Sequence, residues 1–318
     1  MVGLVDEPHP ITGGQWATIH RLHITGQPDG IPDHLVLRVA PDAEMAAKEQ
    51  AVQAAAANRG IATPRVHLTG PVGGPLGGAW AVMDLAPGAP LLTDLGGAAA
   101  LGHLPQLLGR LPHQLAASMA SVHGLDPDPV VGHVRTRAPL VALSVSELWP
   151  HLRAGAEAGA RPDLAAAIER LAETQPRQDG SVVCHGDLHP LNLIADHDRV
   201  TIIDWTGAIV APPAFDVAFT SLLLRHPPLA TPPVLRPLLT VGGALLARRF
   251  ARLYQRANPS ADLTHLDWYA ALHAARILGD HATWTRTGDP RARQHPWHLV
   301  SPAAAKALTR ATGIDVML

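Results

Sequence analysis

The feature that most constrains this chain is a polar segment enclosed by apolar strands, from Val182 to Ile194. It reads VVCHGDLHPLNLI and is followed by the apolar run VTIIDW, which ends at Asp204 and Trp205. Short runs rich in Val and Ile are typical of buried strands. A carboxylate held between such strands is strongly unfavourable unless a charged group pairs with it. We therefore expect a binding or catalytic site here rather than a piece of hydrophobic core.

The spacing of the polar residues indicates the chemistry. Transfer of a phosphoryl group to an alcohol needs an acceptor for the hydroxyl proton, oxygen ligands for Mg²⁺ and a positive group on the phosphates. Asp187 and Asn192 have the D-x-x-x-x-N spacing of a kinase catalytic loop. Asp204 follows at the end of a predicted strand, where a second metal ligand is expected. Hard oxygen donors favour Mg²⁺ over a soft transition metal.

These residues resemble the aminoglycoside phosphotransferase and choline kinase-like family. HGDLHPLN is similar to that family's catalytic loop, and IIDW is similar to its counterpart of the protein-kinase DFG segment. The resemblance implies that Asp187 is the catalytic base or hydroxyl-orienting residue, and that Asn192 and Asp204 hold Mg²⁺. It implies that His185 braces the loop through hydrogen bonds. Asp216, in PAFDVAF, then corresponds to the family's downstream Asp that anchors the loop.

The resemblance extends into the N-terminal part of the chain. LVLRVA is similar to the family's third strand, which makes Arg38 the basic residue that contacts the α- and β-phosphates. Arginine suits bidentate phosphate contact, although it does not replace lysine without a change of geometry. Glu49, in AAKEQAV, is similar to the family's helix glutamate that pairs with this base. Glu44 is an alternative partner on the same helix.

Two further segments are expected to bind the nucleotide. Gly13 and Gly14 precede a predicted strand, where a flexible turn would cover the phosphates. WAVMDLAPG resembles the family's hinge, so that adenine would hydrogen-bond backbone groups of Asp84 and Ala86, with Met83 against its pocket. The implied phosphoryl donor is Mg-ATP or Mg-GTP, and the sequence does not choose between them.

The order of the predicted elements favours two lobes. Strands are predicted at 16–24 and 34–40, joined as a hairpin by the turn-prone stretch 26–33, and at 79–85. A helix is predicted at 43–58, with Asp42 as its N-cap and Gly60 as its terminator. From Leu104 onward, apolar residues recur at three- and four-residue steps, which predicts helices that Pro112 divides or kinks. We therefore predict an α+β, protein-kinase-like fold. Residues 1–88 would form a nucleotide-binding lobe of antiparallel sheet with one helix, and residues 89–318 a larger, mainly helical lobe for catalysis and acceptor binding.

Other interpretations of the same residues stay open. His185, Asp187 and His189 form an H-x-D-x-H cluster that could ligate Zn²⁺ in a metal-dependent hydrolase, although no second cluster with metal-ligand spacing follows. A catalytically silent nucleotide-binding pseudokinase is another alternative, although the carboxylates and the amide that a kinase needs are present. A protein-serine kinase is disfavoured, because no long activation loop fits between Asp204 and Asp216.

Composition limits where the protein is expected in the cell and which partners it is expected to bind. Apolar residues make up 47% of the chain and the formal net charge is −2, which favours a folded protein and argues against dedicated nucleic-acid binding. No apolar run approaches the roughly eighteen residues that span a bilayer, and no secretion signal is evident. We expect a cytoplasmic protein that does not bind membranes. Cys184 is expected to be a buried strand thiol, and the oligomeric state is not predicted.

The acceptor is expected to be a small molecule with a hydroxyl group: an aminoglycoside, a sugar or an amino alcohol. In the family, helices after the catalytic loop line the acceptor pocket. Here residues 227–318 carry eleven basic against five acidic residues, a net charge of +6. This disfavours a polycationic aminoglycoside, although carboxylates such as Asp267 and Asp280 could still receive one. Neutral and acidic acceptors are equally open.

Overall fold

The computed structural model describes residues 2–11, 16–72, 74, 76–92, 104–229, 234 and 236–318. In chain order its helices and strands are β1 (Gly3–Leu4), β2 (His9–Pro10), β3 (Thr18–Thr25), β4 (His34–Ala40), α1 (Ala43–Asn58), β5 (Val66–Gly70), β6 (Ala79–Asp84), β7 (Ala89–Pro90), α2 (Leu104–His123), α3 (Pro127–Arg137), α4 (Val145–Ala158), α5 (Pro162–Glu173), β8 (Val182–Cys184), β9 (Leu193–Asp196), β10 (Arg199–Ile202), β11 (Ile209–Ala211), α6 (Ala214–Arg225), α7 (Arg236–Ala257), α8 (Leu266–Thr287), α9 (Arg291–Gln294) and α10 (Trp297–Thr312). These elements form two compact units, each built from separate stretches of the chain.

The first unit comprises residues 1–93, 125–141 and 191–208. Its main sheet is antiparallel with the strand order β1-β3-β4-β6-β5, and β2 also pairs with β3. A second sheet has the order β10-β9-β7. Helix α1 contacts β5, β6 and α3. The unit therefore combines the first strands of the sequence with a hairpin from much later in the chain.

Helix α1 begins and ends where its sequence predicts. The side chain of Asp42 accepts hydrogen bonds from the backbone N–H groups of Glu44 at 2.9 Å and Met45 at 3.0 Å, which caps the N-terminus. After Asn58 the chain leaves the helix, and Gly60 adopts a φ of +83°, a conformation that glycine reaches without steric cost. The predicted helix at 43–58 is confirmed.

The predicted β3–β4 hairpin is also confirmed. Its register pairs Ile19 with Arg38 and His23 with His34. The backbone N–H of Ile24 donates to the carbonyl of Asp33 at 2.8 Å, just beyond the last paired residues of the ladder. This register fixes which side chains of the two strands lie side by side. On its other edge β4 pairs with β6, where Arg38 lies opposite Ala81.

The second unit comprises residues 94–124, 142–190 and 209–318. It contains the remaining helices and a two-stranded antiparallel sheet of β8 and β11. Helix α8 contacts α4, α5, α6, α9 and α10, so it is the helix around which the others pack. The largest fully buried side chains of this unit, among the described residues, are Phe215, Phe219, Phe250, Tyr254 and Tyr269.

Helix α2 decides between the two expectations for Pro112 in part. Pro112 was expected to divide this region into two helices or to kink one; it does not divide it, because it lies inside a single helix, Leu104–His123. A proline in a helix interior costs about 3 kcal/mol. Leu111, Leu115, Met119 and Val122 are nearly or fully buried along this helix, and burying each such side chain contributes about 1.5–3 kcal/mol. Packing of the apolar stripe therefore outweighs the local effect of the proline.

The architecture agrees with the predicted α+β class, with antiparallel sheet toward the N-terminus and helices toward the C-terminus. The predicted boundary at residue 88, which separates the lobes by function, stays a prediction. Within the described parts of the chain, no helix has both the length and the apolar character needed to cross a bilayer.

Candidate active site

Arg38 lies at the centre of a group of ion pairs in the first unit. Its Nε donates to Oε2 of Glu49 at 3.1 Å, and its Nη2 lies 3.0 Å from the same oxygen. Nη2 also lies 3.6 Å from Oδ1 of Asp204. Burial acts to lower the pKa of Arg38, but the two carboxylates more than offset this and raise the pKa above its ordinary value. Arg38 is therefore a fixed cation between carboxylates from distant parts of the sequence.

The β9–β10 hairpin brings the two predicted metal ligands to one end. Its register pairs Leu193 with Ile202, and the backbone N–H of Ile203 donates to the carbonyl of Asn192 at 3.0 Å. Asn192 and Asp204 therefore flank the same end of the hairpin. An amide and a carboxylate are the hard oxygen ligands that Mg²⁺ prefers. The residues present fit this ion.

The backbone at Asp204 is unusual. Its φ of 63° and ψ of 74° lie in the left-handed region, which costs a residue other than glycine on the order of 1–3 kcal/mol. The hydroxyl of Thr206 donates to Asp204 Oδ1 at 2.6 Å, and Trp205 next to it is fully buried, with its Nε1 donating to Thr63 at 3.0 Å. These contacts hold the carboxylate in place against the backbone strain.

In the second unit, Asp216 holds the predicted catalytic loop through hydrogen bonds to its backbone. One of its carboxylate oxygens accepts from the backbone N–H of His185 at 2.7 Å, and the other accepts from that of Gly186 at 2.7 Å. Gly186 has a φ of +75°, which favours glycine at this position of the loop. Burial acts to raise the pKa of Asp216, but the hydrogen bond from His123 leads the effects that lower it below its usual range. Asp216 therefore stays ionised and holds two successive backbone donors.

Asp187, the predicted catalytic residue, is flanked by basic side chains. Its Oδ2 lies 3.5 Å from Nε2 of His189, and its Oδ1 lies 3.6 Å from Nη2 of Arg276. Burial acts to raise the pKa of Asp187, but His189, Arg276 and His185 together lower it below the ordinary value. The carboxylate is therefore ionised at neutral pH, and 26% of the side chain remains exposed. It can accept a hydrogen bond from a hydroxyl group.

The residues predicted to bind adenine are in β6 and just beyond it. Met83 is 8% exposed and its sulfur accepts from Gln53 at 3.5 Å. The backbone N–H of Asp84 donates to the carbonyl of Arg65 at 3.0 Å, so this group is already satisfied within the sheet. The roles of Met83, Asp84 and Ala86 stay predictions. Gly13 and Gly14, predicted to cover the phosphates, lie outside the described residues.

Sequence reasoning missed several residues that support the loop. His123, at the end of α2, places its Nε2 3.1 Å from Asp216 and its Nδ1 2.7 Å from the hydroxyl of Tyr254. Arg276, on α8, donates to the carbonyl of Gly186 at 3.2 Å. Its guanidinium lies over the rings of Phe219 at 5.0 Å and Trp297 at 5.6 Å. His123 and Arg276 both lie far in the sequence from the loop that they contact, so no spacing pattern in the sequence identifies either residue.

Asp280, one turn after Arg276 on α8, should limit stability at neutral pH. Burial raises its pKa to about 6, although Arg276 and Arg291 oppose the shift. Since an unfolded Asp ionises near pH 4, the folded chain loses stability as the pH rises between about 4 and 6. We expect Asp280→Asn to raise the free energy of unfolding at pH 7.5 by about 1–3 kcal/mol, and by much less at pH 4.

Urea unfolding at the two pH values measures this effect. The matched control is Asp267→Asn, since Asp267 is exposed in the first turn of the same helix, where its charge stabilises the helix by less than about 1 kcal/mol. The control should not gain stability at either pH. A loss of stability in Asp280→Asn at pH 7.5 would show that its charge is compensated by the neighbouring arginines.

The sequence was compared with models of known protein families. A model of proteins described as the phosphotransferase enzyme family matches residues 21–253. This match covers well over half of the chain and includes Arg38, Glu49, Asp187, Asn192 and Asp204. No curated protein matches the sequence directly.

Solved structures give the fold independently. A candidate aminoglycoside phosphotransferase from Ralstonia eutropha aligns with a TM-score of 0.67 at 17% identity, over 97% of this chain and 92% of that one. Amicoumacin kinase, solved with AMP-PNP and Ca²⁺, aligns with a TM-score of 0.61 at 14% identity, over 98% of this chain and 88% of that one. An aminoglycoside phosphotransferase from Streptomyces rimosus aligns with a TM-score of 0.55 at 21% identity, over 87% of this chain and 93% of that one. The predicted protein-kinase-like fold is confirmed.

Proposed function

Because this chain belongs to the phosphotransferase enzyme family, we propose that it transfers the γ-phosphoryl group of Mg-ATP or Mg-GTP to a hydroxyl group of a small molecule. The observation that carries the proposal is the ion-pair group of Arg38, Glu49 and Asp204. A partly buried arginine, held by a helix glutamate and adjacent to a candidate metal ligand, fits what a phosphate-binding site requires.

In the first unit, Arg38 would contact the nucleotide phosphates and Glu49 would keep its guanidinium in position. Asn192 and Asp204 would hold Mg²⁺, which when bound neutralises negative charge on the phosphates. Asp204 is 29% exposed on its side chain, whereas Glu49 is 6% exposed. The two carboxylates would therefore have different roles: the buried Glu49 orients the arginine, and the more accessible Asp204 is available to an ion.

In the second unit, Asp187 would orient the acceptor hydroxyl. Its lowered pKa makes it a weak base, but phosphoryl transfer passes through a loose transition state in which positioning matters more than proton removal. Asp216 would preserve the loop geometry, since it holds the backbone N–H groups of His185 and Gly186. His185 would support the loop from its fully buried position.

The charge beside Asp187 favours neutral or acidic acceptors, such as a sugar or an amino alcohol that carries a carboxylate. An acceptor whose hydroxyl reaches this carboxylate also meets Arg276 and His189, at 3.6 Å and 3.5 Å from it. The rings of Phe219 and Trp297 hold the guanidinium of Arg276 in place. A polycationic aminoglycoside would meet a fixed positive charge there, which is unfavourable.

The first experiment is a thermal-shift measurement with Mg-ATP, Mg-GTP and each nucleotide without Mg²⁺. A ligand that binds only the folded state stabilises it by about 2.7 kcal/mol at a hundred times its dissociation constant. We expect a shift that requires Mg²⁺ and that is lost in Asp204→Ala. The control is Asp196→Ala, at the other end of the same hairpin, where the side chain is exposed and contacts His197; it should respond as the parent does.

A shift that persists in Asp204→Ala would contradict the assigned metal site, and the absence of any nucleotide shift in the parent would contradict the proposal as a whole. The rival hydrolase requires His185, Asp187 and His189 to converge on a metal. Within the described residues, this trio is not among the groups whose ligand atoms all lie within 4.8 Å of one another.

A further inference from the structure

We propose that the β3–β4 hairpin carries a second metal site, for Zn²⁺ or a similar transition metal, formed by His23, Asp33 and His34. One ligand atom from each of these side chains lies within 4.8 Å of the other two. The site is built only from the first unit, and none of its residues takes part in the proposed phosphoryl transfer.

The register of the hairpin explains why the two histidines converge. Ile24 donates its backbone N–H to Asp33 at 2.8 Å, so Ile24 and Asp33 form a hydrogen-bonded pair. Such pairs alternate along an antiparallel ladder, which makes His23 and His34 a non-hydrogen-bonded pair, the type whose side chains lie closest. Their ring centroids are 4.4 Å apart. The backbone therefore sets the separation of the two imidazoles before any metal binds.

Asp6 supplies the outer contact that a metal-binding histidine normally has. Its Oδ2 lies 3.4 Å from Nδ1 of His23. In metal sites a carboxylate beside one ring nitrogen of a histidine accepts the N–H of that nitrogen and leaves the lone pair of the other for the metal. Here the two groups are in ion-pair contact. The Nε2 of His9 lies 4.0 Å from the same oxygen of Asp6.

His34 provides an independent observation. Its Nδ1 is buried and has no hydrogen-bond partner among the described residues. A buried polar atom without a partner costs about 1–3 kcal/mol, so such atoms call for an explanation. Coordination of a metal by this nitrogen would satisfy it.

The donor set defines the ion. Two imidazoles and one carboxylate, with a fourth position for water, suit Zn²⁺, Co²⁺, Ni²⁺ or Cu²⁺. Asn192 and Asp204 offer only oxygen and suit Mg²⁺. The chain would therefore hold two kinds of cation at separate places, distinguished by ligand type.

Titration of tag-free, chelator-treated protein with Co²⁺ tests the proposal, because tetrahedral Co²⁺ has an intense visible absorption that Zn²⁺ removes by displacement. We expect one such site per chain. His23→Gln and His34→Gln should each weaken Zn²⁺ binding by at least about 100-fold, since even loss of an outer contact costs 10- to 100-fold. The matched control is His197→Gln. His197 contacts Asp196 at 2.8 Å, but within the described parts of the chain this pair belongs to no group of three candidate metal ligands, so the variant should keep the absorption.

Mg-nucleotide thermal shifts on the same samples separate this site from the proposed active site. His23→Gln and His34→Gln should keep the parent's Mg-nucleotide response, which also shows that they fold. Asp204→Ala should keep the Co²⁺ absorption. If both histidine variants retain the absorption, or if the parent never develops it, the hairpin does not bind a transition metal.

Discussion

Replacing Asp187 with Asn is expected to lower the turnover number by roughly 10²–10⁴-fold while leaving Mg-nucleotide binding close to that of the parent. Orientation of the attacking hydroxyl, together with acceptance of its proton late in the transfer, contributes a factor on this order. The amide keeps the volume of the carboxylate but loses the negative charge that His189 and Arg276 surround. Steady-state transfer of labelled γ-phosphate to a hydroxyl acceptor, together with the thermal shift with Mg-ATP, measures both quantities.

Asp196→Asn is the matched control, since it removes a charge from an Asp on β9 whose side chain is 39% exposed, and it should leave turnover unchanged. Equal turnover in Asp187→Asn and the parent would refute the assigned role of Asp187. A parent that binds Mg-nucleotide but transfers no phosphate to any acceptor would support the pseudokinase alternative.

Asp216→Asn should be among the most destabilising single substitutions in the second unit. The carboxylate is 1% exposed and accepts from His185, Gly186 and His123. An amide presents an NH₂ group to one of these donors and leaves at least one of them without an acceptor. Breaking a buried charged contact in this way costs about 3–5 kcal/mol. We expect the unfolding midpoint to fall by roughly 6–20 °C, measured by calorimetry or by circular dichroism.

Asp262→Asn serves as the comparison for this substitution. Asp262 also accepts a backbone N–H, from Thr264 at 2.9 Å, but it does so at the surface. Its replacement should cost less than about 1 kcal/mol. A midpoint for Asp216→Asn within 2 °C of that control would show that the loop does not depend on the Asp216 hydrogen bonds.

Local patterns predicted those parts of the fold that depend on neighbouring residues. Helix α1 followed from the Asp42 cap and its Ala-rich sequence, and the β3–β4 hairpin followed from apolar runs around a turn. Glu49 and Glu44 were both candidates to pair with Arg38, and the structure selects Glu49. Five residues correspond to about 500° of rotation in an α-helix, so the two glutamates lie on different faces and only one can contact β4.

The remaining features depend on contacts between distant segments. Arg276 reaches Gly186 and Asp187 from a helix ninety residues later in the chain. His123 contacts Asp216 from the end of an earlier helix. Spacing within a motif cannot report such contacts, because they arise only when helices pack. The same limit explains why Pro112 does not divide its helix: burial of the apolar residues around it is a property of the packed unit, not of the helix alone.

The interleaving of the two units has a consequence for synthesis. The first unit needs residues 191–208, which supply Asp204 and the β9–β10 hairpin. A ribosome that adds about 5–20 residues per second makes Arg38 roughly 10–30 s before it makes Asp204. The first unit therefore stays incomplete until residues 191–208 are made, and residues 209–318 of the second unit are translated only after that. Chaperones that shield unpaired strands during this interval would protect the chain at its most vulnerable stage.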